Sequence, residues 1–347
     1  MAPNPPYKIC FVPKSREEEE EDEKIYKRCK EIVATTLPTT KGRSGKPIYQ
    51  YQGFWYDSGV HGVGPLALQE HFKARPSDIL LASIPKCGTT CLKSLAFAVM
   101  NRKSHPPSVQ LQQQHPLHIF NSHDLVPRME WILYNNNLNG DRISNLDILP
   151  SPRLFSTHMP YTSLPQSVAL SGSRIVYICR NTKDNLISWW HFINKIRSNN
   201  SLEPIKLEEA FEMFCKGKSS LGPFWEHVLG YWKASLERPQ NVLFLKYGEM
   251  VAEPALHLIR IAEFIGCSFS LMEEKQGVVD QIIKLCSFEN LSNLEVNKTG
   301  TCGIGIPNNA FFRQGKVGDS ANYLTSEMLE QLDQITKQKW HGSGLTL

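Results

Sequence analysis

The segment at residues 85–90, with the sequence PKCGTT, brings together groups that bind anions. It lies between an apolar run and a helical pattern, so backbone N–H groups and a helix N-terminus would face the same ligand. Lys86 adds a positive charge, Gly88 lets the backbone approach closely, and the hydroxyls of Thr89 and Thr90 can donate to phosphate oxygens. Since the lysine precedes the only glycine, this is not a Walker A loop. The segment predicts an anion site, although read alone it would also fit an ordinary tight turn.

A second candidate site lies at residues 179–188, CRNTKDNLIS, again where an apolar run gives way to a helical pattern. Arg180, at the end of the run, can place two hydrogen bonds on a phosphate. Ser188 falls one to two turns into the helix, on the side that faces the same ligand. An ion pair between Arg180 and a carboxylate is the alternative interpretation.

Two further segments are weaker candidates when read alone. His158, in the segment STHMP at 156–160, is a candidate proton acceptor, although a lone histidine is more often a hydrogen-bonded structural residue. Residues 311–319, FFRQGKVGD, form a basic loop punctuated by glycine. Such a loop can fold its backbone over an anion, but a surface turn fits equally well.

The elements that must position these groups are short apolar runs, which predict buried strands. The runs are continuous rather than alternating, as is typical of parallel strands that are covered on both faces. Strand, loop and helix in repeated order predict an α/β fold, a single domain with a central parallel sheet flanked by helices. Ligands bind such sheets at the carboxyl ends of the strands, where three of the polar segments lie. The predicted strands are 79–84, 175–179 and 242–245, with 154–157 as a weaker candidate.

The chain divides into an N-terminal extension and one domain. Residues 1–45 are polar and charged, and they predict a mobile acidic extension before a domain at 46–347. The extension contains an unbroken acidic run at 17–23, which is typical of a solvated helical or disordered tail.

The composition limits the classes of ligand and the cellular locations that we expect. The net charge of +4 includes the acidic run, so the rest of the chain is clearly basic, as for a protein that binds nucleic acid, an anionic membrane or a small polyanion. No Lys/Arg cluster interleaved with aromatic residues supports the first two, which favours the small polyanion. The sequence has no membrane-length apolar window and no secretory signal, and its nine cysteines include no C-x-x-C pair. We therefore expect a cytoplasmic protein without disulfides or a bound metal.

Several long strings, together with the four segments above, resemble the cytosolic sulfotransferase family. They are YQGFW at 51–55, GPFWEHVLGYW at 222–232 and LCSFEN at 285–290, and they are most similar to the plant branch. The resemblance runs from about residue 52 to the C-terminus. It implies the sulfotransferase version of the P-loop NTPase-like fold.

The resemblance also implies an activity: transfer of the sulfuryl group of 3'-phosphoadenosine 5'-phosphosulfate (PAPS) to a hydroxyl of a small flavonoid, steroid or hydroxy-acid acceptor. His158 matches the family's catalytic histidine, and Lys86 would neutralise charge on the leaving phosphate. No metal is required. The residues implied in PAPS binding are Lys86, Cys87, Gly88, Thr89 and Thr90 at the phosphosulfate, Arg180, Ser188, Arg313, Gln314 and Gly315 at the 3'-phosphate, and Cys91, Tyr247, Cys286 and Phe288 at the adenine.

Three residues depart from the family pattern. Cys91 and Ser320 stand where the family usually has tryptophan, and Gln314 replaces a lysine. Loss of an adenine-stacking ring at position 91 would cost about 1–3 kcal/mol. A catalytically impaired relative that binds PAPS or its desulfated product is therefore an alternative to an active enzyme. A P-loop kinase is the other alternative, and the missing Walker A order and acidic magnesium motif argue against it.

The acceptor pocket and the assembly are less well determined by the sequence. Aromatic residues could line a flat apolar pocket, although core packing competes for each of them. The C-terminal dimer motif of animal members is not visible after Thr325, which favours a monomer. The partner implied is a small hydroxyl acceptor, with neither nucleic acid nor membrane. The aromatic candidates are Phe54, Trp55, Trp131, Tyr134, Trp189 and Phe224.

Overall fold

The fold is taken from a computed structural model that describes residues 14–42, 45–108, 115–135, 142–303 and 305–347. Its strands form two separate sheets. A three-stranded antiparallel sheet has the order β1-β2-β3, and a four-stranded sheet has the order β5-β4-β6-β7, with all four strands parallel. The strands are β1 (Thr39–Lys41), β2 (Pro47–Tyr51), β3 (Phe54–Asp57), β4 (Ile79–Ala82), β5 (Leu154–Thr157), β6 (Arg174–Cys179) and β7 (Val242–Lys246).

Helices connect the strands and cover the parallel sheet. Single turns of tighter or wider helix occur at Met129–Leu133, which is a π-helical turn, and at Tyr161–Ser163, Asn308–Phe311 and Asp319–Asn322, which are 3-10 turns. The α-helices are α1 (Arg16–Thr35), α2 (Ser58–His61), α3 (Gly64–His71), α4 (Thr89–Asn101), α5 (Pro116–Ile119), α6 (Ser122–Leu125), α7 (Gln166–Leu170), α8 (Thr182–Asn199), α9 (Leu207–Cys215), α10 (Phe224–Glu237), α11 (Tyr247–Ala252), α12 (Pro254–Phe264), α13 (Leu271–Lys275), α14 (Val278–Leu285), α15 (Phe288–Asn293), α16 (Glu295–Thr299) and α17 (Ser326–Lys339).

The parallel sheet is buried on both faces. Alternate strand residues point to opposite sides, so Leu80 and Tyr177 join one core cluster while Leu81 and Val176 join the other. The first cluster includes side chains of α1, α3 and α10, and the second includes side chains of α4, α12 and α14. This arrangement confirms the predicted α/β fold with a central parallel sheet flanked by helices.

The four predicted strands are all present. The candidate at 154–157 has the predicted bounds, whereas the first strand ends at Ala82, two residues before the predicted end at 84. The apolar run continues to Ile84, but the chain has already left the sheet to enter the loop that follows. The antiparallel sheet was not predicted.

The N-terminal region differs from the expected mobile extension. Helix α1 begins with a capping box between Ser15 and Glu18, and its second half buries Tyr26 against the domain. The Tyr26 hydroxyl donates to the carbonyl of Tyr134 at 3.0 Å, and Asp22 accepts the N–H of Ile143 at 2.9 Å. Residues 1–13, 43 and 44 of the expected extension lie outside the described residues. Across the described ranges, no helix has the length and apolar character required to cross a bilayer.

Candidate active site

A cavity of about 1040 Å³ opens beside the carboxyl ends of β4, β5 and β6. Sequence-distant segments meet there, as expected for a parallel sheet. All but one of the predicted site residues line it: Lys86, Gly88, Thr89, Thr90, Cys91, His158, Arg180, Ser188, Tyr247, Cys286, Phe288, Arg313, Gln314 and Gly315.

The exception is Cys87. Its side chain is fully buried in the core, where Nδ2 of Asn185 donates to its sulfur at 3.3 Å. The thiol therefore does not reach the cavity, and a ligand there can meet only the backbone of Cys87. Its small size suits a loop that turns away from the strand at this point.

The loop at 85–90 has the geometry of an anion cradle. Lys86 and Gly88 both have a positive φ, of 71° and 105°, and Gly88 caps the N-terminus of α4. A Cβ atom at Gly88 would lie 2.6 Å from Cδ2 of Tyr247, so only glycine fits this close approach. Because α4 starts at Thr89, its first N–H groups lack intrahelical partners and are available to a ligand at the loop.

Lys86 is positioned by the same loop. Its ammonium lies over the ring of Phe192, 4.3 Å from the centroid. Burial, followed by the neighbouring charges of Arg180, Arg313 and Lys195, lowers the pKa of Lys86 to about 7. At neutral pH the lysine is therefore only partly charged, and an anionic ligand beside it would favour the charged form.

His158 follows β5 and is held by the strand beside it. Its Nδ1 lies 2.5 Å from the carbonyl oxygen of Ser83, so Nδ1 carries the proton and donates to that carbonyl. Nε2 therefore keeps its lone pair. Burial, followed by the charge of Arg128, lowers the pKa of His158 well below its usual value. The result is a neutral imidazole whose Nε2 carries no proton, which is the protonation state required of a general base.

Glu130 holds the end of β5 and the backbone of His158 in place. This fully buried carboxylate accepts the backbone N–H of His158 at 2.8 Å through Oε1 and the hydroxyl of Thr157 at 3.0 Å through Oε2. It comes from the π-helical turn Met129–Leu133, a kind of turn that is frequent at functional sites. No pattern in the sequence indicates a role for Glu130.

Two arginines bring unsatisfied donors to the other end of the cavity. Arg180 donates to the carbonyl of Lys316 at 2.6 Å and packs over the ring of Tyr247, and Arg313 pairs with Asp319. The Nε atoms of Arg180 and Arg313 are both buried without a hydrogen-bond partner among the described residues. Buried donors of this kind are costly unless a ligand supplies an acceptor.

The C-terminal loop that carries Arg313 closes this end of the cavity. Asp184 in the first turn of α8 accepts the N–H groups of Gly318 at 2.8 Å and Ser320 at 3.1 Å. The Tyr247 hydroxyl donates to the carbonyl of Gly315 at 3.3 Å. Gly315 has a φ of 66° and packs against Phe288 so closely that a Cβ would overlap it. The predicted glycine-punctuated loop thus folds toward the other segments.

The three residues that depart from the family pattern lie in different parts of the site. Cys91 lines the cavity beside Tyr247 and Cys286. Gln314 lies in the exposed part of the loop, while Ser320 is buried and bound through its backbone to Asp184. The loop is therefore anchored despite the change at position 320.

No pattern in the sequence indicated three further residues: His123 and Arg128, which line the cavity, and Lys93, which contacts His123. His123 lies with Nε2 3.1 Å from the hydroxyl of Thr90 and Nδ1 3.1 Å from the ammonium of Lys93, and its ring stacks on Phe311. Burial lowers the pKa of His123 well below its usual value and that of Lys93 to about 7. Arg128 also lines the cavity. Lys93 falls inside the helical stripe of α4, where its spacing gives no sign that it points to a polar neighbour.

The aromatic candidates divide between cavity and core. Trp131 and Trp189 line the cavity, together with Phe192 and Phe311. Phe54, Tyr134 and Phe224 belong to the main core cluster instead. Trp55 is half-buried and does not line the cavity. Among the described residues, no group of three or more His, Cys, Asp or Glu side chains is placed to hold a metal ion.

Comparison with known proteins finds consistent similarity. Residues 76–344 match the family model described as "Sulfotransferase domain". Cytosolic sulfotransferase 5 of Arabidopsis thaliana is 47% identical over 90% of this chain and 94% of its own length, and cytosolic sulfotransferase 6 is 46% identical over 90% and 93%.

Solved structures show the same likeness. An Arabidopsis thaliana protein assigned as a steroid sulphotransferase is 38% identical, with a TM-score of 0.70 over 91% of this chain and 94% of that chain. A mouse sulfotransferase in complex with PAP is 25% identical, with a TM-score of 0.65 over 85% and 95%. The similarity extends over both the sequence and the arrangement of the sheet and helices described above.

Proposed function

Because this chain belongs to the sulfotransferase family, among relatives named cytosolic sulfotransferases, we propose that it transfers the sulfuryl group of PAPS to a hydroxyl of a small organic acceptor. His158 would be the general base, and Lys86 would stabilise the leaving phosphate. The observation that carries this proposal is the bond from His158 Nδ1 to the carbonyl of Ser83, which leaves Nε2 basic in the same cavity as Lys86.

The described residues fit a doubly phosphorylated nucleotide. The unpartnered Nε atoms of Arg180 and Arg313 are suited to a phosphate, which supports a role for these residues and Ser188 at the 3'-phosphate. The close approaches at Gly88 and Gly315 suit a backbone that wraps around the ligand. The start of α4 would then face the 5'-phosphosulfate, and the adenine would lie in the part of the cavity lined by Cys91, Tyr247, Cys286 and Phe288.

In the proposed reaction, His158 Nε2 takes the proton of the acceptor hydroxyl as that oxygen attacks sulfur. A sulfur–oxygen bond to the acceptor forms while the bond from sulfur to the 5'-phosphate oxygen breaks, and the electron pair stays on the phosphate. Lys86 and the N–H groups at the start of α4 stabilise this charge, while the Ser83 carbonyl stabilises the imidazolium through Nδ1–H. Positioning and electrostatics therefore provide most of the catalysis, as in phosphoryl transfer.

The test is the variant His158→Ala, assayed with radiolabelled PAPS over a panel of phenols, steroids and hydroxy acids. We expect turnover to fall by about 10²–10⁴-fold, because the general base is lost. Binding of PAP, measured by calorimetry, should stay close to that of the wild type, since His158 is not among the residues proposed to hold the nucleotide.

The matched control is His257→Ala, which removes another buried histidine, located in α12 and not in the cavity wall. We expect this variant to keep its turnover. Retained turnover in His158→Ala would remove His158 from the mechanism, and failure of the wild-type protein to bind PAP would overturn the proposal as a whole.

A catalytically impaired relative is the second candidate function. Cys91 favours it, since a thiol lines the cavity where a stacking ring would hold the adenine. This alternative predicts PAP binding by the wild-type protein without transfer to any member of the panel. The active-enzyme proposal predicts both binding and transfer.

We also infer a cytosolic and monomeric protein without a metal requirement. The relatives named cytosolic sulfotransferases support the location. Sedimentation of the purified protein tests the monomer, and retained transfer after chelator treatment tests metal independence. A dimer, or loss of transfer on chelation, would contradict these inferences.

A further inference from the structure

We propose that Arg128 binds a carboxylate of the acceptor, so that hydroxylated carboxylic acids are preferred over neutral flavonoids and steroids. The inference rests on the proposed sulfuryl transfer and names the acceptor class for that reaction. It concerns a residue that lines the cavity but has no part in the nucleotide site described above.

Arg128 is fixed next to the proposed base. It immediately precedes the π-helical turn Met129–Leu133, and its backbone forms a bridge to Ser156, two residues before His158. The whole residue is only 9% exposed. Its charge contributes to the lowered pKa values of both His158 and His123, which indicates that the guanidinium lies near both imidazoles.

The guanidinium has donors that no described residue satisfies. Both Nε and Nη2 are buried without a hydrogen-bond partner within the described ranges. The nearest carboxylate oxygen, Oε1 of Glu130, is 3.7 Å from Nε, which is too far for a hydrogen bond. Both oxygens of Glu130 already accept bonds from Thr157 and His158. Glu130 thus offsets part of the charge, but it does not occupy the donors.

The orientation of Arg128 suits a planar anion. Trp131 covers one face of the guanidinium, with its ring centroid 3.5 Å from Cζ, and Arg128 lines the cavity, so a ligand would meet its edge rather than that face. A carboxylate accepts two parallel N–H bonds from such an edge. A neutral hydroxyl or ether oxygen could accept at most weaker bonds and would leave the buried charge poorly compensated.

The surroundings suit the carbon skeleton of such an acceptor. Val60, Trp131, Trp189, Ile306 and Phe311 line the same cavity and are apolar. Arg128 stays a cation at neutral pH, since burial lowers its pKa only to about 10, whereas burial keeps the imidazoles of His123 and His158 neutral. An acceptor with a hydroxyl at one point and a carboxylate at another would place the first at His158 and the second at Arg128.

The test compares ω-hydroxydecanoate with its methyl ester, using the ratio of kcat/KM for acid over ester. We expect the wild-type enzyme to prefer the acid by roughly 10-fold or more, because only the acid forms charge-assisted bonds. In Arg128→Met the ratio should fall to near one, because the charge-assisted bonds that favour the acid are lost. Arg128→Lys, which keeps the charge without the fork, should restore part of the preference.

The matched control is Arg102→Met. Arg102 is as buried as Arg128, but it is paired with Glu273 and lies outside the cavity wall. We expect this variant to keep the wild-type acid-to-ester ratio even if its stability falls. A merely structural role of Arg128 would lower kcat/KM for both compounds alike.

A binding measurement keeps the inference testable if no transfer occurs. Calorimetry of ω-hydroxydecanoate and its ester with the PAP-loaded protein should give tighter binding of the acid to the wild type and no preference in Arg128→Met. Equal binding of acid and ester to the wild-type protein would overturn the inference. Transfer to phenols together with equal use of acid and ester would overturn only this inference, while absence of transfer to any acceptor would contradict the proposed function.

Discussion

Burial sets the protonation of the residues around the cavity. It lowers the pKa values of His123 and His158 well below the usual value, so both rings are neutral, and it brings the pKa values of Lys86 and Lys93 to about 7. A neutral His158 is ready to accept a proton. A lysine with a pKa near neutrality is only partly charged in the free protein, and an anion beside it favours the charged form. Ligand binding and proton binding are therefore linked at Lys86.

We predict that PAP binding takes up a proton at Lys86. In the free protein its pKa is about 7, so at about pH 8 most of the ammonium has lost its proton, and a bound phosphate raises the pKa and draws the proton back. At about pH 6 the ammonium is already charged, so little uptake remains. Calorimetry in buffers of different ionisation enthalpy measures the number of protons taken up on binding. This number should be larger by nearly one at about pH 8 than at about pH 6.

Lys86→Arg separates this effect from titration of PAP itself. Arginine stays charged in proteins, so the uptake assigned to position 86 should disappear in that variant. Lys195→Arg is the control, because Lys195 is exposed and acts on Lys86 only through its charge. Equal uptake in the wild type and Lys86→Arg would show that Lys86 is not the group that titrates.

Candidate site residues at the ends of strands could be identified from the sequence, whereas those at the π-helical turn could not. Lys86, His158 and Arg180 each follow an apolar run that forms a strand of the parallel sheet, so the fold rule alone brings them to one edge. Glu130 and Arg128 flank the start of a π-helical turn, whose spacing has no characteristic sequence pattern. The contact between Glu130 and His158 depends on how that turn packs against β5, which is a tertiary property.

At the scale of elements, the C-terminal loop depends on the first turn of α8. Asp184 accepts two N–H groups of the loop, and Arg180 donates to the carbonyl of Lys316. The same arginine has the free Nε proposed to meet the 3'-phosphate. Order in the loop and nucleotide affinity should therefore change together.

We predict that Asp184→Asn weakens both the order of the C-terminal loop and the affinity for PAP. Asparagine offers one acceptor oxygen in place of two and lacks the charge that pairs with Arg180 at 3.4 Å, so the N–H of Gly318 or Ser320 loses its partner. The cost of about 1–2 kcal/mol corresponds to a loss of roughly 5- to 30-fold in PAP affinity. Amide hydrogen exchange of residues 314–320 should become faster, and calorimetry should give the change in affinity.

Asp333→Asn is the control, because Asp333 on α17 pairs with Lys183, the residue next to Asp184, at an exposed position. Exposed pairs contribute little, so neither loop exchange nor PAP affinity should change. Faster exchange in the loop of Asp184→Asn with unchanged PAP affinity would contradict the proposed coupling between them.

Strands with a strong hydrophobic pattern could be predicted from the sequence, whereas short strands of mixed polar and apolar residues could not. Strands β4, β6 and β7 are continuous apolar runs, since both faces of the parallel sheet are buried. Strands β1, β2 and β3 have only three to five residues each, which is too few for a clear period of two to emerge. The pairing of β2 with β3 depends on the turn at Gln52 and Gly53, both of which have positive φ.

For the molecule as a whole, helix α1 completes the core on one side of the sheet. Ile25, Tyr26 and Cys29 are buried in the main cluster, and Ile32 and Val33 pack against it. Acidic residues in the first turn are favourable at a helix N-terminus, so the acidic run is compatible with a stable helix. An acidic run by itself is typical of a solvated tail, whereas the apolar residues that follow it attach α1 to the domain.

The role of α1 predicts a difference between two neighbouring substitutions. Tyr26→Ala should lower the free energy of unfolding by about 3–5 kcal/mol, since it leaves a large cavity and removes the bond to the carbonyl of Tyr134. Lys24→Gln should change it by at most about 0.5 kcal/mol, because the pair with Glu21 is exposed. Urea unfolding of the full chain measures both. If the two variants were equally stable, α1 would have to detach freely from the domain, as the sequence-based prediction of a mobile extension implies.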